Sequence, residues 1–272
     1  MVACAAASWG TWSLFLRPTG LPSQVTTPIM FAVMTLVALP LARRERQPRW
    51  DRTAVQLLFA NAAFDALNVL TFFGALAKTT VAIAVLTHYL APIIIALLAE
   101  RIDGTATPGA RPAALAALAG LALILEPWRA PAAGALAGAA LGTISAFCYA
   151  GNVFVVRRLA ARVGSARQVA YHSAIAAVAL LPFGVSGLAT VSRGDLALIG
   201  AGAVTIGAIS GIVFVEGLQR VGAARAAILT FAEPLVAVAV GALVWGEPMH
   251  PLAAVGGGLV LAAGIHVARQ AR

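Results

Sequence analysis

Stretches of about twenty apolar residues follow one another along almost the whole chain, with only a few polar positions between them. Ten such runs can be read, at 2–16, 25–41, 53–76, 80–99, 112–125, 133–156, 168–188, 196–218, 223–245 and 251–268. A helix needs about 20 residues to cross about 30 Å of hydrocarbon. Most of the runs reach that length, and the first and fifth fall short of it. A membrane barrel would need segments of about ten residues with alternating polarity, which these Ala- and Leu-rich runs do not show. Only 11% of the residues are charged and the mean hydropathy is +0.91, against about 25% charged in a soluble domain. The expected fold is therefore an all-α integral membrane bundle of about ten transmembrane helices.

The formal charge of +9 invites a nucleic-acid partner until the charges are placed. With the N-terminus inside, alternate loops carry Arg43, Arg44, Arg46, Arg49, Arg52, Arg101, Arg111, Arg157, Arg158, Arg162, Arg167, Arg220, Arg225, Arg269 and Arg272. The other side receives only Arg17, Lys78, Arg129 and Arg193. Cytoplasmic loops collect Lys and Arg, so the basic excess reports topology. It predicts a multi-pass protein of the cell membrane with both termini cytoplasmic, whose partners are the lipid bilayer and a small solute, with no nucleic acid. Cys4 and Cys148 fall inside runs and read as small packing residues. The first run has no basic segment before it and is not read as a signal peptide. The stretch LARRERQPRW is the longest polar segment, so function has to come from the bundle itself.

The chain also repeats itself. AVLTHYLAPIIIALLAE and AAILTFAEPLVAVAVGALVWGE each centre on a proline, Pro92 and Pro234, which lie 142 residues apart; Leu39-Pro40 and Leu181-Pro182 repeat that offset. Gly74 with Gly217, and Leu86-Thr87 with Leu229-Thr230, match at 143. Five crossings separate Pro92 from Pro234, an odd number, so two copies of a five-helix unit enter the membrane from opposite sides. Two such units, 1–130 and 131–272, form an inverted repeat, the design in which a midplane site opens alternately to either side.

These features, with Trp9-Gly10 early in the first run and Glu233-Pro234 followed by Gly246-Glu247, resemble the drug/metabolite transporter superfamily, EamA type, over essentially the whole chain. The resemblance implies export of amino acids, related metabolites or drugs, with protons as a candidate driving ion. The first half departs from the pattern: Ala91 stands where the second half has Glu233, and Glu100 follows Pro92 sooner than Glu247 follows Pro234. An early end to the fourth helix is one reading of that difference.

Several polar residues interrupt the apolar helices. Asn61, Asp65 and Asn68, spaced four and three, share one helical face. A carboxyl near the midplane costs at least about 2.5 kcal/mol, so it faces a cavity or a partner; a protonated Asp acting as interhelical packing is the plainer alternative. His88 on the next run, counted from Thr80, comes to a similar depth and is the expected partner for a shared proton. Glu233 beside Pro234 reads as a gate or cation-binding element at a kinked helix, and Pro92 is expected to bend the fourth helix likewise. Trp9 and Trp12 on the first run, Asn61 and Asn68 on the third, Tyr89 on the fourth, and Ser145, Tyr149 and Asn152 on the sixth offer an aromatic and amide lining for a solute. Glu216 with Arg220, Tyr171 and His172 read as interface residues, and Lys78 as a loop charge.

Three classes compete. A secondary transporter fits the repeat. An intramembrane enzyme would need a nucleophile–base or metal constellation, yet H-E-x-x-H, G-x-S-x-G and G-x-x-x-x-G-K-[ST] are all absent. His88, His172, His250 and His266 are scattered, so no catalytic residue, metal or cofactor is expected. A receptor or assembly subunit lacks loops long enough to dock a partner. A homodimer through Gly256-Gly257-Gly258 is open, as is packing of those glycines within the bundle.

Overall fold

The computed structural model describes residues 1–46, 48, 50–104, 107–129, 134–247 and 250–269, with Phe73 described in its backbone only. Arg49, Arg272 and the division after residue 130 lie outside the described residues. Helices account for the ordered structure, and no strand occurs among the described residues. Among the described residues nine helices are long and apolar enough to cross a membrane: α2 (Ser23–Ala42), α3 (Arg52–Lys78), α4 (Val81–Asp103), α5 (Ala110–Arg129), α6 (Ala135–Val163), α7 (Ser165–Thr190), α8 (Arg193–Val221), α9 (Ala223–Trp245) and α10 (Pro251–Arg269). Ahead of them α1 (Val2–Trp9) breaks into a turn and resumes at Ser13–Leu16. The fourth helix does not end early. It continues past Glu100 to Asp103, where Gly104 in the left-handed conformation closes it.

Small residues set the packing. The buried interior is dominated by Ala, among them Ala5, Ala38, Ala75, Ala84, Ala114, Ala117 and Ala226, while Leu36, Leu136, Val178 and Leu243 point outward and are highly exposed. Helices in lipid gain little from hiding apolar surface, and small side chains let backbones approach. Gly10 is the closest case: a Cβ there would collide with the backbone of Glu233 and Ala237, so α1 lies directly on the proline segment of α9. Gly256 meets the Gly120 carbonyl and thus serves packing of α10 on α5.

The long contacts pair α3 with α6, α2 with α7, and α5 with α10; α1 packs against α8 and α9. Both α4 and α9 are broken. The pieces of α4 are Val81–His88 and Ala91–Asp103; those of α9 are Ala223–Leu229 and Ala232–Trp245. Ala91–Asp103 packs against Ala223–Leu229. In α8 the segment Ala203–Ile209 is a π-helix, widened by one residue per turn.

Charge divides the two ends of the bundle. One end, the basic face, holds Arg157–Asp103, Arg162–Asp51, Arg111–Glu100 and Arg220–Glu216. The opposite face holds Arg17–Glu247 and Arg129–Glu126. Asp51 caps α3 by accepting the Ala54 N–H, and that bond, with the Arg162 guanidinium beside it, holds its carboxyl below the usual aspartate range.

Candidate functional site

The two broken helices meet in the middle of the bundle. Pro92 and Pro234 each stand in the first turn of a new helix, where a missing N–H costs little, so the expected kink is a break, at Tyr89-Leu90 and Thr230-Phe231, two to four residues ahead of each proline. Ile93 and Ile94 both donate to the Leu90 carbonyl, at 3.0 and 3.1 Å, and the Glu233 N–H donates to Thr230, at 3.0 Å. Between the breaks lies a cavity lined by His88, Tyr89, Ala91, Pro92, Tyr149, Thr230 and Glu233. Its volume is about 20 Å³, room for roughly one water molecule. Rings crowd it: His88 lies 4.9 Å from Phe72, 5.6 Å from Tyr89 and 5.4 Å from Tyr149, and Tyr89 lies 5.2 Å from Phe231. The Tyr89 phenol interacts with the Glu233 carboxyl.

Beside the cavity a chain of polar side chains crosses from α7 through α3 to α6. Gln168 Nε2 donates to Asn61 Oδ1 at 2.8 Å, Asn61 Nδ2 to Asn152 Oδ1 at 2.7 Å, and Asn152 Nδ2 to Asp65 Oδ1 at 3.4 Å. Asp65 Oδ2 lies 2.8 Å from His172 Nε2. Nearer the opposite face, Ser145 Oγ donates to Asn68 Oδ1 at 2.7 Å and lies 2.8 Å from His88 Nδ1. Asn61 and Ser145 are fully buried, where an unmet polar group is expensive.

The expected Asp65–His88 pair does not form. Asp65 is the midpoint of α3, about 20 Å from either end, whereas His88 ends the first piece of α4 about 10 Å from Val81. The extra length of α3 moves Asp65 out of reach, and α7 supplies its partner instead. An apolar run that starts at Gln168 places His172 at the interface. The helix begins at Ser165, which carries His172 about 10 Å inward. Gln168 and His172, four apart and so on one face of α7, are the signal that would have found both.

Trp9 and Trp12 have other neighbours than the cavity. The Trp9 Nε1–H donates to the Ile206 carbonyl at 3.1 Å, within the π-helix, and its ring packs on Phe214 at 4.8 Å. Trp12 lies against Gly202 of α8. Tyr89, Tyr149, His88, Glu233 and Pro92 do line the cavity, Pro234 adjoins it, and Asn61, Asp65, Asn68 and Asn152 form the polar chain.

At the basic face a reciprocal contact joins three helix ends. Glu45, just past α2, accepts the backbone N–H groups of Ala166 and Arg167 at 2.7 and 3.0 Å, capping α7. Arg167 reaches back, donating to Val163 O and Ala42 O at 2.6 Å each and to Arg46 O at 3.2 Å. Gly164, at φ +95°, sits where a Cβ would strike the Glu45 carboxylate.

Comparison with known proteins gives one family. The model of the EamA-like transporter family matches residues 1–126 and again 136–268. An uncharacterized transporter of Archaeoglobus fulgidus is 31% identical over 266 residues, covering 96% of this chain and 92% of that protein. The uncharacterized transporter YcbK of Bacillus subtilis is 30% identical over 155 residues, 54% of this chain and 50% of its own length. A crystal structure at 21% identity superposes with a TM-score of 0.83, covering 98% of this chain and 94% of the other, which shows a shared fold.

Proposed function

The chain belongs to the EamA-like transporter family, and from that premise we propose that this membrane transporter moves a small amino-acid-like, amine or drug-like solute by alternating access. Export from the cell, with a proton gradient as the driving force, is the direction this reading takes. The observation that carries it is the small cavity where α4 and α9 are both broken, buried beside a chain of polar side chains. A cavity of one water cannot pass a metabolite, so the helices around it have to rearrange. Broken helices are where transporter folds place such sites.

Supporting the exchange of two halves, the helix pairs α2·α7, α5·α10 and α4·α9 are each a helix with its own counterpart if 1–130 and 131–272 are equivalent units. The arginine-rich end is then the cytoplasmic end, with both termini there. Asp65 is the coupling group: with His172 at 2.8 Å, the pair can hold one proton or release it when water enters from one side.

Vesicles reconstituted with the protein, given a pH gradient and a panel of amino acids and cationic drugs, test this. Saturable, gradient-dependent flux is expected for at least one solute, and Asp65→Asn is expected to abolish gradient-driven accumulation. Turnover without flux would favour an enzyme, and unchanged accumulation in Asp65→Asn would remove the proton role.

A further inference from the structure

We propose that the central cavity is a site for an ammonium group, and that its preferred solute is an arylalkyl amine and not the corresponding amino acid. This rests on reading the cavity as the solute site and adds what that solute must carry.

Electrostatics come first. Among the described residues Glu233 is the only carboxyl lining the cavity, and no lysine or arginine lines it. An uncompensated carboxylate at this depth is costly and is best met by a mobile cation. Glu233 also lies in the first turn of Ala232–Trp245, where the free N–H groups of a helix start favour a negative charge. The breaks add acceptors. Pro92 has no N–H for the His88 carbonyl, and the Ile93 N–H turns to Leu90 instead of Tyr89.

The walls fit the same ligand. Tyr89, Tyr149 and His88 line the cavity, with Phe231 and Phe72 packed behind them. Aromatic faces attract a desolvated ammonium and pack well against an aryl group. An α-carboxylate has no partner here. The arginines of Arg157–Asp103 and Arg162–Asp51 are spent on ion pairs at the basic face. Burying an unpaired carboxylate next to Glu233 would add like-charge repulsion to desolvation, so the amine is selected against its amino acid as much as for itself.

Equilibrium binding to the detergent-purified protein tests this without requiring transport. The probes are phenethylammonium, its neutral isostere 2-phenylethanol, the zwitterion phenylalanine and the anion phenylpropionate. Phenethylammonium is expected to bind at least about tenfold more tightly than any of the others. Glu233→Gln is expected to bring it down to the level of the alcohol while leaving the alcohol unchanged. If that variant does not fold, Tyr149→Leu should reduce the amine preference and Tyr149→Phe should keep it. Equal or tighter binding of the alcohol, zwitterion or anion, binding of none of the four, or an amine preference that survives Glu233→Gln overturns the proposal. The two readings fail separately. Amine binding without flux in vesicles removes the transport reading, whereas saturable flux of an acid with no amine binding removes this one.

Discussion

Replacing Arg167 by Ala tests whether the reciprocal contact at the basic face holds three helix ends together. The side chain is about nine-tenths buried, at 9% exposure, so solvent screens its bonds little. It fills three carbonyls, those of Val163, Ala42 and Arg46, and hydrogen bonds from a charged donor are worth about 1.5–3 kcal/mol each. The sum overshoots, because water enters the hole left at the edge of the bundle and meets some of these groups. Breaking one side of a buried charged network costs about 3–5 kcal/mol, and that is the expected loss. At about 2–4 °C per kcal/mol for a chain of this size, the apparent Tm in detergent falls by roughly 6–20 °C. Arg167→Lys keeps the charge but replaces a planar fork with a point donor, so it should recover less than half. Glu45 makes its bonds to backbone N–H groups and stands 3.7 Å from the Arg167 guanidinium. A double-mutant cycle between the two should therefore show coupling below about 1 kcal/mol. A fall of less than 2 °C in Arg167→Ala, or full rescue by Lys, would show that Arg167 does not hold these helix ends together.

Two further outcomes follow from the polar chain. Asn61→Leu keeps the volume but strands Asn152 Oδ1 and Gln168 Nε2; at about 0.6–1.7 kcal/mol per interhelical bond, the loss of stability should be about 1–3 kcal/mol, read from the same melt. His172→Gln should impair gradient-driven accumulation in vesicles as Asp65→Asn does, whereas His88→Gln should leave the gradient dependence intact and lower the affinity for solute; the reverse pattern would restore His88 as the partner of Asp65.

Span positions were legible because crossing a membrane demands length and apolarity together, and nine of the ten runs correspond to long helices among the described residues. The first run is shorter, and the structure breaks it at Gly10, where α1 rests on α9. Polar stripes on α3 and α6 were legible from spacing alone, since residues three and four apart share a face whatever the helix packs against. Partner choice was not. It depends on which helices lie side by side, and the short α3–α4 connection pointed to α4 when the long contact of α3 is with α6. Depth failed for a related reason: α3 spans 27 residues, so counting inward from opposite ends does not bring Asp65 and His88 level. The role of Trp9 was hidden by the π-helix, whose Ile206 carbonyl takes the indole N–H. Nothing in the apolar run around Ile206 marks that widening.

The two broken helices are not used alike, and the difference says which end of the bundle is shut. Ala91–Asp103 packs on Ala223–Leu229 at the basic face, while Val81–His88 and Ala232–Trp245 make no comparable contact at the other. If the halves exchange conformations, the alternate state joins the second pair and parts the first. The polar chain makes that exchange chemically unequal. Around α3, α6 and α7 it contains a carboxyl, an imidazole and four amides; around α8, α1 and α2, their counterparts if the two units are equivalent, the contacts are Ser8 with Ser210 at 2.7 Å and the Trp9 indole. Among the described residues on these two sets of helices, a carboxyl–imidazole pair therefore occurs only in the α3–α6–α7 set, where Asp65 of α3 meets His172 of α7. Coupling to an ion, as proposed for Asp65, needs such a group to be hydrated from one side at a time; one titratable cluster would meet that condition where two matched ones would titrate together.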